Sequence, residues 1–426
     1  MGQGLIIAAP ASGSGKTTVT LALLRLLARE GLAVRGAKSG PDYIDPAFHT
    51  AACGTSCVNL DAWAMAPDRI HDLASGEGLL VIEGAMGLFD GAPPDNRGAV
   101  ADLARLLSLP VVLVVDAGRM SGSVAALVQG FARHDPNVHV AGVVLNKVGS
   151  DKHETMLRRA LSSTGLPVLA CLRRSPELSQ PSRHLGLVQA RERPDLDRFL
   201  EQAADALSNS LDRATLQALA MPVPGPAGSP RCPPPGQVIA VATDAAFGFS
   251  YTHHLEDWRQ QGAELRFFSP LADEPVPDSD FVFLPGGYPE LHAGRIAASH
   301  NFMQSLRIAS QITDIYGECG GYMVLGNTLT DADGQTHPMA GLLPLSTSFE
   351  HPRRHLGYRH LVAREGPHRG AWLGHEFHYA TTVFAEGEPL FAASDAEGQA
   401  LPDMGLRAGR VQGSFAHLIE PARIRN

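Results

Sequence analysis

APASGSGKTT, residues 9–18, lies between the apolar run GLIIAA (4–9) and the helical pattern TTVTLALLRLLAREG (17–31). A buried strand, a glycine-rich turn and a helix in that order gather successive backbone N–H groups and a helix N-terminus around one point. That arrangement is a nest for phosphate oxygens. Ser12, Gly13, Ser14, Gly15 and Thr18 form the loop, Lys16 reaches the outer phosphates, and the Thr17 hydroxyl is placed to hold a magnesium ion. The usual pattern has glycine five residues before Gly15, where this chain has Pro10.

The same rhythm continues outward. LLVIEG (79–84), PVVLVVDA (110–117) and HVAGVVLNKV (139–148) are apolar throughout, and helical patterns fall at 98–108, 121–134 and 151–164. Strands with no polar alternation, separated by helices, predict a parallel sheet covered on both faces. Loops at the strand C-termini of such a sheet line its ligand crevice. KSGPDYIDPAFH (38–49), rich in Gly, Pro and acid, reads as one of these loops; Lys38 there bridges a phosphate and an acidic substrate, and Asp45 is a second metal ligand. VIEGAMGLFDG (81–91) ends a strand with Glu83, the place of a metal-binding carboxylate, and Asp90 follows at the same edge. Asn146, closing a strand in LNK (145–147), is positioned to read an adenine edge.

Residues 221–237, MPVPGPAGSPRCPPPGQ, hold seven prolines and can form neither a helix nor a central strand. They read as a semi-rigid linker, dividing the chain into 1–220, a linker 221–236, and 237–426. Strand patterns resume at QVIAVATD (237–244), ELRFFSP (264–270), DFVFLPGG (280–287) and DIYGECGG (314–321). The whole is therefore α/β in two domains. In the last segment Cys319 sits in a glycine-flanked turn between a strand and a helical run. This is the logic of a nucleophile elbow, and the helix N-terminus is expected to lower the thiol pKa. GSFAHLIEP (413–421) offers His417 as base, while the N–H groups of Gly287 and Gly320 offer an oxyanion hole. Ile419 stands two residues after His417 and Glu420 one later, so a Cys–His dyad is expected. HPRRHLGYRH (351–360) and GHEFHY (374–379) gather Arg353, Arg354 and Arg359, candidates for meeting a polycarboxylate, or else a polar interface.

Composition bounds the function. A chain of 426 residues exceeds the size of a single core, and its net charge of −9 argues against non-specific nucleic-acid binding. No stretch has the length of a spanning helix, MGQGLIIAAP is no signal peptide, and five cysteines without a disulfide pattern fit a reducing cytoplasm. A dimer is the commonest default for such an enzyme. Only Lys16, Lys38, Lys147 and Lys152 stand against 31 arginines, and three of these lysines fall in the motifs above.

SGSGKTT, KSGPDYIDP, EGAMGLFDG, LNKVGS and PSRHLGLV (181–188), with LPGGYPE and GECGGYMVLG, resemble the cobyrinic and hydrogenobyrinic acid a,c-diamide synthase family. The resemblance implies a dethiobiotin-synthetase-like P-loop domain that binds ATP and Mg²⁺, followed by a class I glutamine amidotransferase domain. It implies a glutamine-hydrolysing ligase of cobalamin biosynthesis that amidates the a- and c-acetates of a corrin-type ring. By the same resemblance Lys16, Thr17, Asp45 and Glu83 fall at the nucleotide and metal site, and Tyr43, Ile44 and Asp90 lie near the tetrapyrrole. Cobyric acid synthase and nickel-sirohydrochlorin a,c-diamide synthase share these domains and remain alternatives, as does the choice between a metal-free and a cobalt-bearing ring. The GC-rich style of composition favours hydrogenobyrinic acid. A partitioning-type nucleotide switch is the non-biosynthetic rival, and it has no use for Cys319.

Overall fold

Strand β1 (Gln3–Ala8) buries five of its six residues, as a strand covered on both faces must. The computed structural model describes residues 2–178 and 189–423, so PSRHLGLV (181–188) lies outside the described residues. The chain divides into a unit Met1–Pro230 and a unit Arg231–Asn426.

In the first unit β1 is joined by β2 (Val34–Ser39), β3 (Val58–Leu60), β4 (Leu79–Glu83), β5 (Val111–Asp116), β6 (Val140–Val148) and β7 (Val168–Arg173). The sheet order is β3-β2-β4-β1-β5-β6-β7, and every pairing along it is parallel. The helices are α1 (Lys16–Arg29), α2 (Asp45–Cys53), α3 (Pro67–Ala74), α4 (Val100–Leu107), α5 (Ser123–His134), α6 (Asp151–Leu161), α7 (Leu196–Ser208) and α8 (Arg213–Leu219). Because β1 pairs with both β4 and β5, its C-terminal end marks the switch point of the sheet, where ligand crevices form.

One expectation needs correction. Residues 38–49 are not a loop throughout: Lys38 and Ser39 end β2, and α2 begins at Asp45. Pro46 sits in the first turn of α2, where its missing N–H has no intrahelical partner to lose, and Gly54 closes the helix at φ 74°. The proline-rich segment 221–236 makes defined contacts. Met221–Pro222 (β8) pairs antiparallel with β1, and the N–H groups of Ala227, Gly228 and Ser229 converge on the Asp72 carboxylate at the end of α3. Partial burial opposes them, yet these contacts from Ser229, Gly228 and Ala227 pull Asp72 down to about 2. Further on, the Cys232 N–H donates to Asp257 in the second unit.

That unit opens with β9 (Val238–Ala242), α9 (Thr252–Gln260), β10 (Glu264–Phe268), β11 (Phe281–Leu284), α10 (Ala293–Ala298), α11 (His300–Ala309), β12 (Asp314–Glu318) and α12 (Gly320–Leu325). Then follow β13 (Thr328–Thr330), β14 (Thr336–Pro338), β15 (Leu345–Ser348), β16 (His355–Ala363), β17 (Gly370–His378), β18 (Thr381–Ala385), β19 (Glu388–Ser394), β20 (Ala400–Ala408), β21 (Val411–Ser414) and β22 (Ala416–Pro421). One sheet runs β10-β9-β11-β12-β21-β20-β19-β16-β17-β22, and a smaller one runs β14-β13-β15-β18. The large sheet is parallel as far as β21 and antiparallel beyond it. Its far end returns to the last strand of the first parallel run: the Leu418 N–H on β22 donates to the Glu318 carboxylate at the tip of β12. Two apolar clusters flank the parallel strands, one around Phe247, Phe302 and Tyr322, the other around Phe281, Tyr316 and Trp372.

Candidate active sites: a phosphate loop and a cysteine elbow

In the first unit the loop between β1 and α1 turns through Gly13 and Gly15, both at positive φ, and no side chain caps α1. The first-turn N–H groups are thus left for an anion. The loop rests on β6. A β-carbon at Gly15 would stand 2.0 Å from Asn146 Nδ2, which donates to the Ser14 carbonyl at 2.9 Å. Asn146 Oδ1 accepts from the Lys147 N–H. The amide expected to read a base edge is therefore buried against the loop and braces it. Lys147 does the same from outside, with Nζ 2.6 Å from Asp116 and 3.1 Å from the Gly13 carbonyl. Ser14 Oγ bonds to Ala11, Thr18 Oγ1 to Leu178, and Ser12 Oγ lies against Met86 Sδ.

Lys16 and Thr17 turn towards the loop after β4. Lys16 Nζ donates to the Met86 carbonyl at 2.6 Å, and burial lowers its pKa. Thr17 Oγ1 donates to Glu83 Oε1 at 2.6 Å. Around fully buried Glu83 the structure assembles four more polar side chains. Lys38 Nζ lies 2.9 Å from Glu83 Oε1, in contact with Asp45 and 3.9 Å from Asp42; His49 Nε2 lies 2.6 Å from Glu83 Oε2. Burial opposes charging here, yet Lys38 and His49 hold the Glu83 carboxyl well below its usual range, and Asp45 and Glu83 raise the Lys38 ammonium. Burial and the Asp42 charge push Asp45 up to about 7 against the pull of Lys38. The cluster thus holds more carboxylate than one ammonium balances. Two carboxylates and a hydroxyl, all hard oxygen donors, suit a magnesium ion that shares its remaining positions with phosphate and water. Asp45, Glu83 and Thr17 fit that ion. His49 was not singled out from the sequence, although i, i+4 spacing from Asp45 puts both on one face of α2.

The implied ring contacts differ in burial. Tyr43 and Ile44 are buried at the head of α2, while Asp90 is exposed and its carboxylate accepts from the Gly87 N–H, shaping its own loop.

In the second unit Cys319 follows β12 at φ 47°, a left-handed conformation that a non-glycine residue adopts only under constraint. The turn is tight enough to exclude side chains around it. A β-carbon at Gly321 would stand 2.0 Å from the Leu284 carbonyl, one at Gly287 2.0 Å from the Ala246 carbonyl, and one at Gly317 2.7 Å from the Gly321 backbone. Gly321→Ala is accordingly expected to cost about 1–3 kcal/mol by overpacking against backbone, read as a lowered thermal midpoint together with loss of glutaminase activity.

Gly286 separates nucleophile and base. A β-carbon there would lie 2.4 Å from His417 Cε1 and 3.3 Å from Cys319 Cβ, so imidazole and thiol-bearing carbon flank one glycine. The Gly287 nitrogen would be 3.0 Å from a β-carbon on Gly320, and the Gly320 N–H faces the Cys319 sulfur. These are the two donors expected for an oxyanion. The thiol pKa, however, is corrected. Burial, then the Glu290 charge, pushes Cys319 up rather than down, because α12 has only six residues and the sulfur is buried. The thiol waits in its protonated form for a base. The Glu420 carboxylate lies 3.7 Å from His253 Nε2.

A model of the CobB/CobQ-like glutamine amidotransferase domain matches residues 238–423, and one of the CobQ/CobB/MinD/ParA nucleotide binding domain matches residues 5–188. A hydrogenobyrinate a,c-diamide synthase of Brucella anthropi is 54% identical over 98% of both chains. The chain belongs to the hydrogenobyrinate a,c-diamide synthase family. Enzymes of that name from Rhizobium meliloti, at 53% identity over 98% of this chain and 99% of the relative, and Mesorhizobium japonicum, at 49% over 99% of both, agree. With the family shown, the first unit carries the nucleotide-binding domain and the second the glutamine amidotransferase domain. Of the three arginines Arg353, Arg354 and Arg359, the last finds less support as a polycarboxylate site. Arg359 is paired with Glu376 at 2.7 Å, and His378 bonds to the other oxygen of that carboxylate at 2.9 Å, so its charge is already balanced. Among the described residues no helix is long and apolar enough to cross a membrane.

Proposed function

We propose that the protein amidates the a- and c-acetate carboxylates of hydrogenobyrinic acid, using ATP and glutamine, in cobalamin biosynthesis. The observation that carries this reading is full-length identity of 54% to enzymes of that name, joined to a phosphate loop and a cysteine elbow in one chain.

A carboxylate is a poor acceptor, since its charge repels nucleophiles and an oxide leaves badly. Transfer of the γ-phosphoryl of ATP to a carboxylate oxygen gives an acyl phosphate and ADP, and ammonia then displaces phosphate to form the amide. Lys16 neutralises charge on the phosphates and the backbone of Ser12–Thr18 orients them. Thr17, Glu83 and Asp45 would hold magnesium, which supplies charge neutralisation on the phosphate oxygens. Lys38, held between Asp45 and Glu83, would meet an incoming substrate carboxylate once those two acids turn to magnesium. Asn146 and Lys147 hold the loop in shape, and Tyr43, Ile44 and Asp90 shape the walls of the ring site.

Ammonia comes from glutamine in the second unit. The Cys319 thiol gives its proton to His417 as sulfur adds to the amide carbon, and the Gly287 and Gly320 N–H groups meet the developing oxyanion. His417 returns the proton to the leaving nitrogen, and water hydrolyses the thioester to glutamate. Catalysis takes place without nucleic acid or membrane, in the cytoplasm, by a monomer or homodimer.

Incubation with ATP, Mg²⁺, glutamine and either hydrogenobyrinic or cobyrinic acid tests the reading by mass spectrometry. A diamide from hydrogenobyrinic acid, with one ADP and one glutamate per amide, is expected. Product from cobyrinic acid alone would overturn the substrate, and nucleotide hydrolysis without any amide would overturn the ligase.

A further inference from the structure

We infer that Glu318, the residue immediately before the nucleophile, is the carboxylate that positions His417; this rests on the proposed roles of Cys319 and His417. His417 Nδ1 lies 3.4 Å from Glu318 Oε2, with the imidazole fully buried and Glu318 4% exposed. The other carboxylate oxygen, Oε1, accepts from the Leu418 N–H at 3.0 Å. One carboxyl group therefore holds the backbone just after the base with one oxygen and faces the base's ring with the other. Strand β22 is fixed from its far side as well, where His253 and His254 both donate to the Ile419 carbonyl, at 3.0 and 2.8 Å.

The alternatives around the base are spoken for. Glu420 turns to His253, and Glu376 is shared by Arg359 and His378. His375, opposite His417 on β17, is lowered to about 3 by burial and the His417 charge, so it stays neutral. Tyr316, two residues before Glu318 on β12, is raised well above its ordinary value by burial and by Glu318, so it too stays neutral. Tyr251 approaches His417 edge-on at 6.5 Å, and Glu290 acts on the thiol. The Glu318 carboxyl group lies within ion-pair distance of the imidazole.

The consequence is chemical. When sulfur adds to the glutamine amide carbon, the thiol proton passes to His417, and the resulting imidazolium directs Nδ1–H at Glu318. The carboxylate stabilises that cation and fixes the ring, without taking the proton itself. Proton and charge balance are restored when His417 protonates the departing ammonia. Glu318 touches neither glutamine nor sulfur in this scheme, so it is a positioning residue.

The test compares Glu318→Gln and Glu318→Asp with wild type in the full chain, measuring glutamate release against glutamine concentration and pH. Ammonium-supported ligation reports on folding. Glutamine keeps the acceptor for Leu418 but removes the charge. For Glu318→Gln we expect kcat to fall about 10- to 100-fold with KM changed less than about threefold. The acid limb of kcat/KM should move to lower pH, because a lost carboxylate makes the imidazolium easier to deprotonate. The aspartate variant, its carboxylate drawn back from Nδ1, should regain the limb but only part of kcat. Wild-type kcat with an unmoved acid limb in Glu318→Gln overturns the inference. If that variant does not fold, wild-type kcat in Glu318→Asp does so instead. Cys319→Ala is run in parallel: glutamate release surviving in it overturns the underlying roles, whatever Glu318 does.

Discussion

Cys319→Ala abolishes glutamine-supported amidation, by about 10⁴-fold or more, while amidation supported by an ammonium salt at alkaline pH continues close to the wild-type rate. The expectation follows from where the sulfur sits. Cys319 is held at φ 47° between Gly317 and Gly321, with His417 across Gly286, and nothing in that turn belongs to the phosphate loop. Alanine keeps the β-carbon and so keeps the turn, and it removes only the sulfur. Because burial keeps the resting thiol protonated, activity also requires the base, and His417→Ala should show the same split between nitrogen sources. Loss of both activities in a folded Cys319→Ala variant would mean that the two units do not divide the reaction as proposed. Measuring ADP release alongside product distinguishes that outcome from ATP hydrolysis uncoupled from amidation.

The residues that were legible in the sequence share one property: their chemistry is local. Lys16 and Thr17 follow from a glycine-rich turn between a strand and a helix, and Cys319 from a glycine-flanked turn of the same kind. The strand pattern was equally readable, since β4, β5 and β6 are apolar on both faces and match their expected runs to within one or two residues. What escaped depends on contacts across the sheet. His49 meets Glu83 only because β2 and β4 are neighbours, with Lys38 opposite Glu83 in register. Its helix was hidden by a composition of Gly, Pro and Asp that belongs to a turn followed by a first helical turn. Asn146 and Lys147 were legible as strand-end residues near the nucleotide, but not as braces of its loop. That support gives Lys147 a structural role in a lysine-poor chain. Glu318 escaped for the opposite reason. Many class I sequences place an acid two residues after the base, whereas here the fold brings one from beside the nucleophile.

Glu83→Gln should stop ligation with glutamine and with ammonium alike, by about 10²–10³-fold or more, while glutamate release by the second unit persists. Glu83 touches Thr17 of the phosphate loop together with Lys38 and His49. Its Oε1 meets Thr17 and Lys38, and its Oε2 meets His49. Glutamine preserves the shape but not the charge, and its NH₂ must face either the Lys38 ammonium or the His49 ring. In the first orientation two donors oppose each other; in the second, the His49 ring nitrogen must act as acceptor. Lys38 keeps Asp45, so the stability loss should stay below the roughly 3–5 kcal/mol of a buried charge stripped of its partner. Thermal denaturation then separates a folded, inactive protein from an unfolded one. The decisive readout is nucleotide affinity with and without Mg²⁺. The wild type should bind ATP more tightly with the ion, and the variant should lose most of that gain while retaining metal-independent binding through Lys16 and the loop N–H groups. An unchanged dependence on Mg²⁺ would reassign Glu83 to anchoring Lys38, and would leave Asp45 and Thr17 as the oxygen donors for the metal.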